Sequence, residues 1–372
     1  MYRQLSNLAE VTTGTRADTS AVGTINRPLQ LAGSSIRQET TMMDFRLFPK
    51  VELHLHLDCS LSYNVVHRIN PATTEEAYLR DFIAPAKCTN LADFLTRAPH
   101  AIALMQTEEQ LRLVVADLFA QFQRDSMLYA EIRFAPFLHT DSGLSPEQVV
   151  EIVEGATAQA CAATGIEARL ILCTLRHFSA EQSLQTVRLV ERFRGTHVAA
   201  LDLAGDEAGF PVAPHVPAYR YAADHNLART AHAGEASGPQ SVWETLRLLH
   251  PSRIGHGVRS IEDSALIEHL RKEHIHLEVC PTSNLQTNMY DTFSDHPINR
   301  LYELGIPLSV NTDTRTITNI TLTGEYEKLH QFFNWDKDHF LHCNMQALRA
   351  AFLPENVRQR LMARLEESYG AM

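Results

Sequence analysis

Residues 51–58 read VELHLHLD, a short apolar run that ends on two histidines and an aspartate. The run is nearly continuous in apolar residues rather than alternating, which is typical of a parallel strand covered on both faces. Residues two positions apart in a strand point to the same face, so His54 and His56 share one side. We therefore predict a buried strand that presents two imidazoles at its carboxyl end. The alternative for each histidine is a hydrogen-bonded core group.

Seven further runs of the same kind follow, at intervals long enough for crossover helices. They occupy residues 128–136, 168–176, 198–205, 228–235, 253–258, 274–283 and 306–313. Between them, segments 145–164 and 180–194 carry apolar residues at helical spacing, with Ser145 and Ser179 placed as N-caps. Eight strands that alternate with helices predict an α/β fold, a (β/α)8 TIM-type barrel.

The segments outside this alternation predict additions to the barrel. The first connection, residues 60–127, is longer than a simple crossover and contains a helical stretch at 108–125, so it predicts extra helices that form a lid over the mouth. Stretches 322–333 and 345–370 predict further C-terminal helices. Residues 1–42 show no sustained apolar period and predict a disordered leader ahead of a single barrel domain at 43–372.

Charge and composition narrow the classes of partner. The formal net charge is −11 and the pI is near 5.9, which disfavours binding to nucleic acid or to an anionic membrane and favours a small-molecule substrate. No run approaches the ~20 apolar residues of a membrane-spanning helix. The six cysteines form no CxxC pair, so we expect reduced thiols in a cytoplasmic protein.

Four more ionisable residues stand at the ends of apolar runs: His232 and Glu235 in ARTAHAGE, His256 in RIGHGV, and Asp313 in SVNTD. The carboxyl ends of barrel strands open on one mouth, so these side chains should converge with those of the first strand. Imidazoles and a carboxylate together can hold a divalent ion, as in metal-dependent hydrolases. Taken singly, each has a plainer explanation: a loop salt bridge, a neutral buried histidine or a helix cap.

The motifs HLHLD, LDLAGDE, HAGE, RIGHGV, CPTSN and SVNTD, in this order, resemble those of the adenosine deaminase family within the amidohydrolase superfamily. The resemblance runs from about Phe48 to the C-terminus. It implies one zinc ion per chain, with four ligands: His54, His56, His232 and Asp313. It also implies two catalytic residues, Glu235 and His256. Three positions are implied to bind the substrate: Asp58 at the ribose hydroxyl, Gly205 at the purine, and Thr314.

The reaction implied by the resemblance is hydrolytic deamination of adenosine or deoxyadenosine, a purine nucleoside, with release of ammonia. In it, Glu235 donates a proton to purine N1, while Asp313 and His256 orient the attacking group. We expect a dry pocket to raise the pKa of Glu235 so that it can act as an acid. The signature of polynucleotide-base deaminases, HxE with PCxxC, is absent from the sequence.

Two departures from the family pattern leave alternatives open. Thr314 stands where the family usually has a second Asp that bonds purine N7. Cys59 stands where the family commonly has Gly, and we assign it no chemistry. Arg315 follows in a segment that replaces an Asp-Pro turn, where we expect it at the site mouth or, more commonly, solvated. A deaminase of adenine or another 6-aminopurine and a non-catalytic nucleoside-binding homologue therefore stay open. A two-metal hydrolase is less favoured, because the fourth run ends without a Lys.

Overall fold

The computed structural model describes residues 43–371, and the predicted leader at 1–42 lies outside this range. Its strands are β1 Lys50–His56, β2 Met127–Phe134, β3 Glu167–Leu175, β4 Val198–Ala204, β5 Ala228–Ala233, β6 Arg253–His256, β7 His276–Val279 and β8 Leu308–Val310. Each strand pairs in parallel with the next, in chain order from β1 to β8. The predicted (β/α)8 barrel is therefore confirmed.

The helices of the described residues alternate with these strands. They are α1 Tyr63–Ile69, α2 Glu75–Asp81, α3 Leu91–Leu95, α4 Ala98–Ile102, α5 Glu108–Arg124, α6 Pro146–Thr164, α7 Ala180–Arg192, α8 Val216–Asp224, α9 Pro239–Leu249, α10 Ser264–Lys272, α11 Pro281–Gln286, α12 Ile298–Glu303, α13 Leu322–Phe333, α14 Lys337–Ala350 and α15 Glu355–Gly370. Ser145 and Ser179 cap α6 and α7 through capping boxes, as predicted. Within this range, every helix is too short or too polar to cross a bilayer.

The seventh strand ends four residues before the end of its predicted run. Residues 274–283 read as one apolar run, but only His276–Val279 forms β7, and Pro281 begins α11. Proline fits the first turn of a helix because its missing N–H would have no partner there. This early turn brings Ser283 and Asn284 to the mouth of the barrel on a helix rather than on a strand.

The barrel closes between β8 and β1 through a seam that differs from the other strand pairs. Asn311, just after β8, accepts the backbone N–H of Leu53 on its side-chain Oδ1 at 2.8 Å. Beyond it, the backbone of Asp313 donates to the carbonyl of His54 at 3.0 Å and accepts from the N–H of His56 at 2.7 Å. A side chain and one short bridge thus complete the cylinder.

The long connection after β1 supplies helices α1 to α5, and α3 covers the mouth. Leu91, Phe94 and Leu95 of this helix line the cavity at the carboxyl end of the strands. Phe94 is buried and packs in a small cluster with Cys59 and Ile317, residues that follow β1 and β8. The prediction that this connection adds helices over the mouth is confirmed.

Arg315 is neither solvated nor placed at the mouth, contrary to the sequence-based expectation. It is buried, and its Nη2 lies 2.7 Å from Glu52 Oε2 and 3.1 Å from Asp125 Oδ2. Asp125 in turn accepts the backbone N–H groups of Leu322 and Thr323 at the start of α13. Because two buried carboxylates need a nearby cation, the guanidinium turns inward and connects β1, the end of α5 and the start of α13.

Replacing Arg315 tests this inward ion cluster. In Arg315→Met, Glu52 and Asp125 keep their burial but lose the guanidinium that they share, so we expect the free energy of unfolding to fall by about 3–5 kcal/mol in guanidinium denaturation. Arg46→Met is the matched control, because the Arg46 side chain is 73% exposed in its pair with Asp44 and should change stability little. Equal losses in the two variants would contradict the assignment.

Candidate metal centre

Three imidazoles and a carboxylate meet at the carboxyl end of the barrel. His54 and His56 come from β1, His232 from β5, and Asp313 from the turn after β8; their ligand atoms all lie within 4.8 Å of one another. His56 Nε2 is 3.3 Å from His232 Nε2. Asp313 Oδ1 is 3.3 Å from His54 Nε2 and 3.5 Å from His56 Nε2. The structure thus brings together all four residues that the sequence nominated as ligands.

These separations fit a small divalent ion. A tetrahedral centre with bonds of ~2.0–2.1 Å has ligand–ligand edges of ~3.3–3.4 Å, close to the distances found here. His54 Nε2 is fully buried and has no hydrogen-bond partner among the described residues. A buried acceptor without a partner is costly unless it coordinates something, so the donor set suits a metal.

The other nitrogen of two of these imidazoles faces a carboxylate. His54 Nδ1 is 3.0 Å from Glu278 Oε2, and His232 Nδ1 is 3.2 Å from Asp202 Oδ1. An ionised carboxylate only accepts hydrogen bonds, so each Nδ1 carries the hydrogen and each Nε2 turns a lone pair toward the cluster. The lone pairs of His54 Nε2 and His232 Nε2 therefore both face the cluster, where a cation can accept them.

A buried arginine keeps these two carboxylates charged. Arg133 on β2 places Nη1 3.0 Å from Asp202 Oδ2 and Nη2 2.6 Å from Glu278 Oε2. Burial alone would raise the pKa of Glu278, but the charges of Arg133 and Arg253 hold that pKa well below its usual range. Glu278 therefore stays an acceptor for the Nδ1–H of His54.

Glu235 is held by a clamp from the turn after β4. The carboxylate of Glu207 accepts the backbone N–H groups of four consecutive residues, Gly234, Glu235, Ala236 and Ser237, at 2.7–3.0 Å. It also accepts the hydroxyl of Ser241 at the start of α9. This fixes the backbone of the HAGE turn, and with it the direction in which the Glu235 side chain points.

Glu235 and His256 lie next to the ligand cluster and are both buried. Their facing atoms, Glu235 Oε2 and His256 Nε2, are 3.6 Å apart. Burial, then the charges of Asp313 and Glu207, raise the pKa of Glu235 well above its usual range, as expected for a dry pocket. Burial lowers the pKa of His256 well below its usual value, so its ring is neutral.

Two site residues have a left-handed backbone at the ends of their strands. The φ angles are 59° at His256 and 64° at Asp313. Non-glycine residues seldom take this conformation, and strained positions of this kind gather at functional sites. His256 is the last residue of β6 and Asp313 follows β8 by three residues, and both side chains line the mouth.

The cavity at the mouth has a volume of about 60 Å³ and is lined by Gly205 and Thr314 as well as by site residues. Gly205 has φ 98°, which favours glycine, and Thr314 Oγ1 is buried without a partner among the described residues. Asp58 is buried at 3.4 Å from the N–H of Ala135 and is not one of the residues that line the cavity. Pockets that hold drug-sized ligands measure ~300–1,000 Å³, so the cavity as described is smaller than such a pocket.

Several supporting residues had no role in the sequence interpretation. Arg133, Asp202 and Glu278 could have been found in the sequence, because each is a charged residue inside an apolar strand. A buried charge of this kind needs a partner of opposite charge or a hydrogen bond. Glu207 belongs to the LAGDE motif, but it contacts the HAGE turn after β5, and the sequence does not show that these two segments are neighbours. Ser283 donates to Asp313 Oδ2 at 2.7 Å, a contact that exists only because α11 starts early.

Gly255 leaves room for the ligands, which can be tested. A Cβ at Gly255 would lie 3.0 Å from His54 Cε1 and 3.3 Å from His232 Cγ. We expect Gly255→Ala to displace both imidazoles and to lower the bound metal measured by elemental analysis of the purified protein. Gly155→Ala in α6, where an added Cβ meets nothing within 4 Å, should keep wild-type metal content. Full metal content in Gly255→Ala would show that the ligands tolerate the methyl group.

Comparison with known proteins identifies the same family as the sequence motifs do. Residues 49–368 match the protein family described as adenosine deaminase. Adenosine deaminase of Clostridium acetobutylicum is 33% identical over 325 residues, which cover 86% of this chain and 97% of that protein. The family match and this relative both span the whole barrel.

Solved structures share the fold. Adenine deaminase from Arthrobacter aurescens superposes with a TM-score of 0.79 at 26% identity, covering 86% of this chain and 98% of that one. An amidohydrolase from Burkholderia ambifaria with bound zinc gives a TM-score of 0.80 at 20% identity, covering 88% of this chain and 92% of that one. At this identity the second likeness concerns the fold alone.

Proposed function

Because the chain belongs to the adenosine deaminase family, we propose that it hydrolyses adenosine and deoxyadenosine to inosine and deoxyinosine, with release of ammonia. Its substrate is then a small purine nucleoside. The six cysteines are all free in the described residues, which fits a reducing compartment, and we place the reaction in the cytoplasm. The observation that carries the proposal is the buried Glu235 beside the four candidate metal ligands.

We propose one zinc ion per chain, held by His54, His56, His232 and Asp313. Imidazole nitrogens and a carboxylate oxygen are its usual ligands in catalytic sites, and the observed atom separations suit its bond lengths. When bound, such an ion lowers the pKa of a coordinated water toward ~7 and so supplies a nucleophile at neutral pH.

The protein side chains then handle the protons and the orientation of the purine. Glu235, kept protonated by burial, donates to purine N1 and makes C6 electrophilic toward water. His256 and Asp313 orient the attacking water and stabilise the charge that develops at C6. Gly205 and the free hydroxyl of Thr314 face the cavity and would contact the purine edge, while we assign Asp58 to the ribose hydroxyl.

Deamination of adenine, or of another 6-aminopurine, is the second candidate. Three observations favour it. The 26% identical structure is an adenine deaminase, and Thr314 offers a neutral hydroxyl where the family usually has a carboxylate. The closed cavity of about 60 Å³ also accommodates a free base with less movement of α3 than a nucleoside requires. The two proposed reactions share the chemistry at purine C6, and their substrates differ in whether a ribose is attached at N9.

A substrate panel separates them. With purified zinc-loaded protein, we expect the absorbance of adenosine and deoxyadenosine to fall as they are deaminated, with one ammonia released per nucleoside. Adenine should turn over much more slowly, because it lacks the ribose that Asp58 would bind. Turnover of adenine alone would transfer the proposal to the free base, and no turnover of any 6-aminopurine would favour a nucleoside-binding role.

Glu235→Gln tests the acid. The amide keeps the size of the side chain but cannot donate the proton, so we expect kcat to fall by about 10²–10⁴-fold with metal content unchanged. Asp313→Ala is the contrasting variant: it removes a ligand and should lose both metal and activity. Full activity in Glu235→Gln would rule out the proposed role of this residue.

A further inference from the structure

His256 crowds the same mouth as the metal ligands, yet its Nδ1 has a different kind of partner. The Nδ1 atoms of His54 and His232 face carboxylates. His256 Nδ1 instead lies 3.1 Å from the side-chain amide of Asn284, which the structure orients with Nδ2 toward the ring. An amide can be turned either way, so something else has to decide whether it donates to His256 or accepts from it.

The orientation of the Asn284 amide follows from a backbone N–H group two contacts away. Ile298, at the start of α12, has its N–H 3.1 Å from His296 Nδ1. A backbone N–H only donates, so His296 Nδ1 has to accept, and the hydrogen of this ring sits on Nε2. Burial lowers the pKa of His296 to about 3, so the ring is neutral and carries only that one hydrogen.

The next two contacts then follow by donor and acceptor matching. His296 Nε2–H lies 3.2 Å from Asn284 Oδ1 and donates to it. The carbonyl end of Asn284 is thereby fixed toward His296, so its NH₂ end faces His256 and donates to Nδ1. A ring nitrogen that accepts carries no hydrogen, which excludes both the Nδ1–H tautomer and the doubly protonated ring.

We infer that Asn284 and His296 are positioning residues that lock His256 in its Nε2–H tautomer, so that this ring donates a hydrogen bond into the site rather than binding the metal. The Nε2–H points toward Glu235 Oε2, 3.6 Å away, and toward the space where the substrate would react. His54 and His232 hold the opposite tautomer through Glu278 and Asp202. At these three rings the partner of Nδ1 thus fixes which nitrogen carries the hydrogen: a carboxylate puts it on Nδ1 in His54 and His232, and the amide of Asn284 puts it on Nε2 in His256.

Nuclear magnetic resonance reads this assignment without any turnover. In ¹⁵N-histidine-labelled, zinc-loaded protein, long-range ¹H–¹⁵N correlations distinguish the protonated ring nitrogen from the bare one, and His256→Gln identifies the His256 signals. We expect the hydrogen on Nε2 of His256. His215, whose Nε2 faces the carbonyl of Arg176 at 3.1 Å, is an internal reference for the same tautomer. A hydrogen on Nδ1 of wild-type His256 would overturn the inference.

Asn284→Asp should reverse the tautomer. The carboxylate still accepts from His296 but cannot donate, so the hydrogen of His256 moves to Nδ1 while His215 stays unchanged. Asn70→Asp, at an exposed position after α1, introduces the same charge and should leave His256 as in the wild type. An unchanged His256 spectrum in Asn284→Asp would contradict the role of Asn284.

His296→Phe provides a second variant, should the carboxylate that Asn284→Asp buries prevent folding. Without His296 the amide of Asn284 is free to turn, so we expect His256 to lose its single defined tautomer. A wild-type His256 spectrum in this variant would contradict the role of His296.

The kinetic consequence rests on the proposed deaminase function. In Asn284→Asp, loss of the Nε2–H donor should lower kcat by about 10²–10³-fold, with KM and metal content close to wild type. A wild-type kcat with a reversed tautomer would show that the donor is not used. Should the wild-type protein deaminate no 6-aminopurine, the spectra alone still decide the tautomer.

Discussion

The guanidinium of Arg133 is the charge on which the site depends. It is fully buried inside the barrel and forks between Asp202 on β4 and Glu278 on β7. Without it, two carboxylates would be buried side by side with less compensating charge, and protonation would follow. They would then no longer fix the hydrogens on His232 and His54. An interaction in the middle of the barrel therefore determines which lone pairs face the mouth, several ångströms above.

The sequence predicted the barrel because each parallel strand that is covered on both faces is a nearly continuous apolar run, which can be recognised on its own. It also predicted which ionisable residues would converge, since strand ends in this fold share one rim. It could not place Arg315, whose burial depends on carboxylates from Glu52 and Asp125, both far away in the chain. The early end of β7 was missed for a related reason: an apolar run does not show where proline will begin a helix. Ion pairs between residues far apart in the chain leave no pattern in the sequence around either residue.

The mouth of the barrel lies between the strand ends, which many interactions hold in place, and α3, which few interactions hold. Below, strands, buried ion pairs and the Glu207 clamp fix the backbone and the side-chain directions. Above, α3 is only five residues long and meets the site through Leu91, Phe94 and Leu95. A short helix with a few apolar contacts costs less free energy to displace than a strand of the barrel, so we expect any opening of the mouth to involve α3 first.

The seam between β8 and β1 gives the metal a second consequence. Two of the four ligands lie on the first strand and another follows the last, on opposite sides of a joint held by Asn311 and one short bridge. An ion held by these residues would cross-link segments separated by most of the described chain, and so would lower the conformational entropy of the open barrel. Metal loss would therefore leave two strand edges free to part, and unfolding would start where the cylinder was joined.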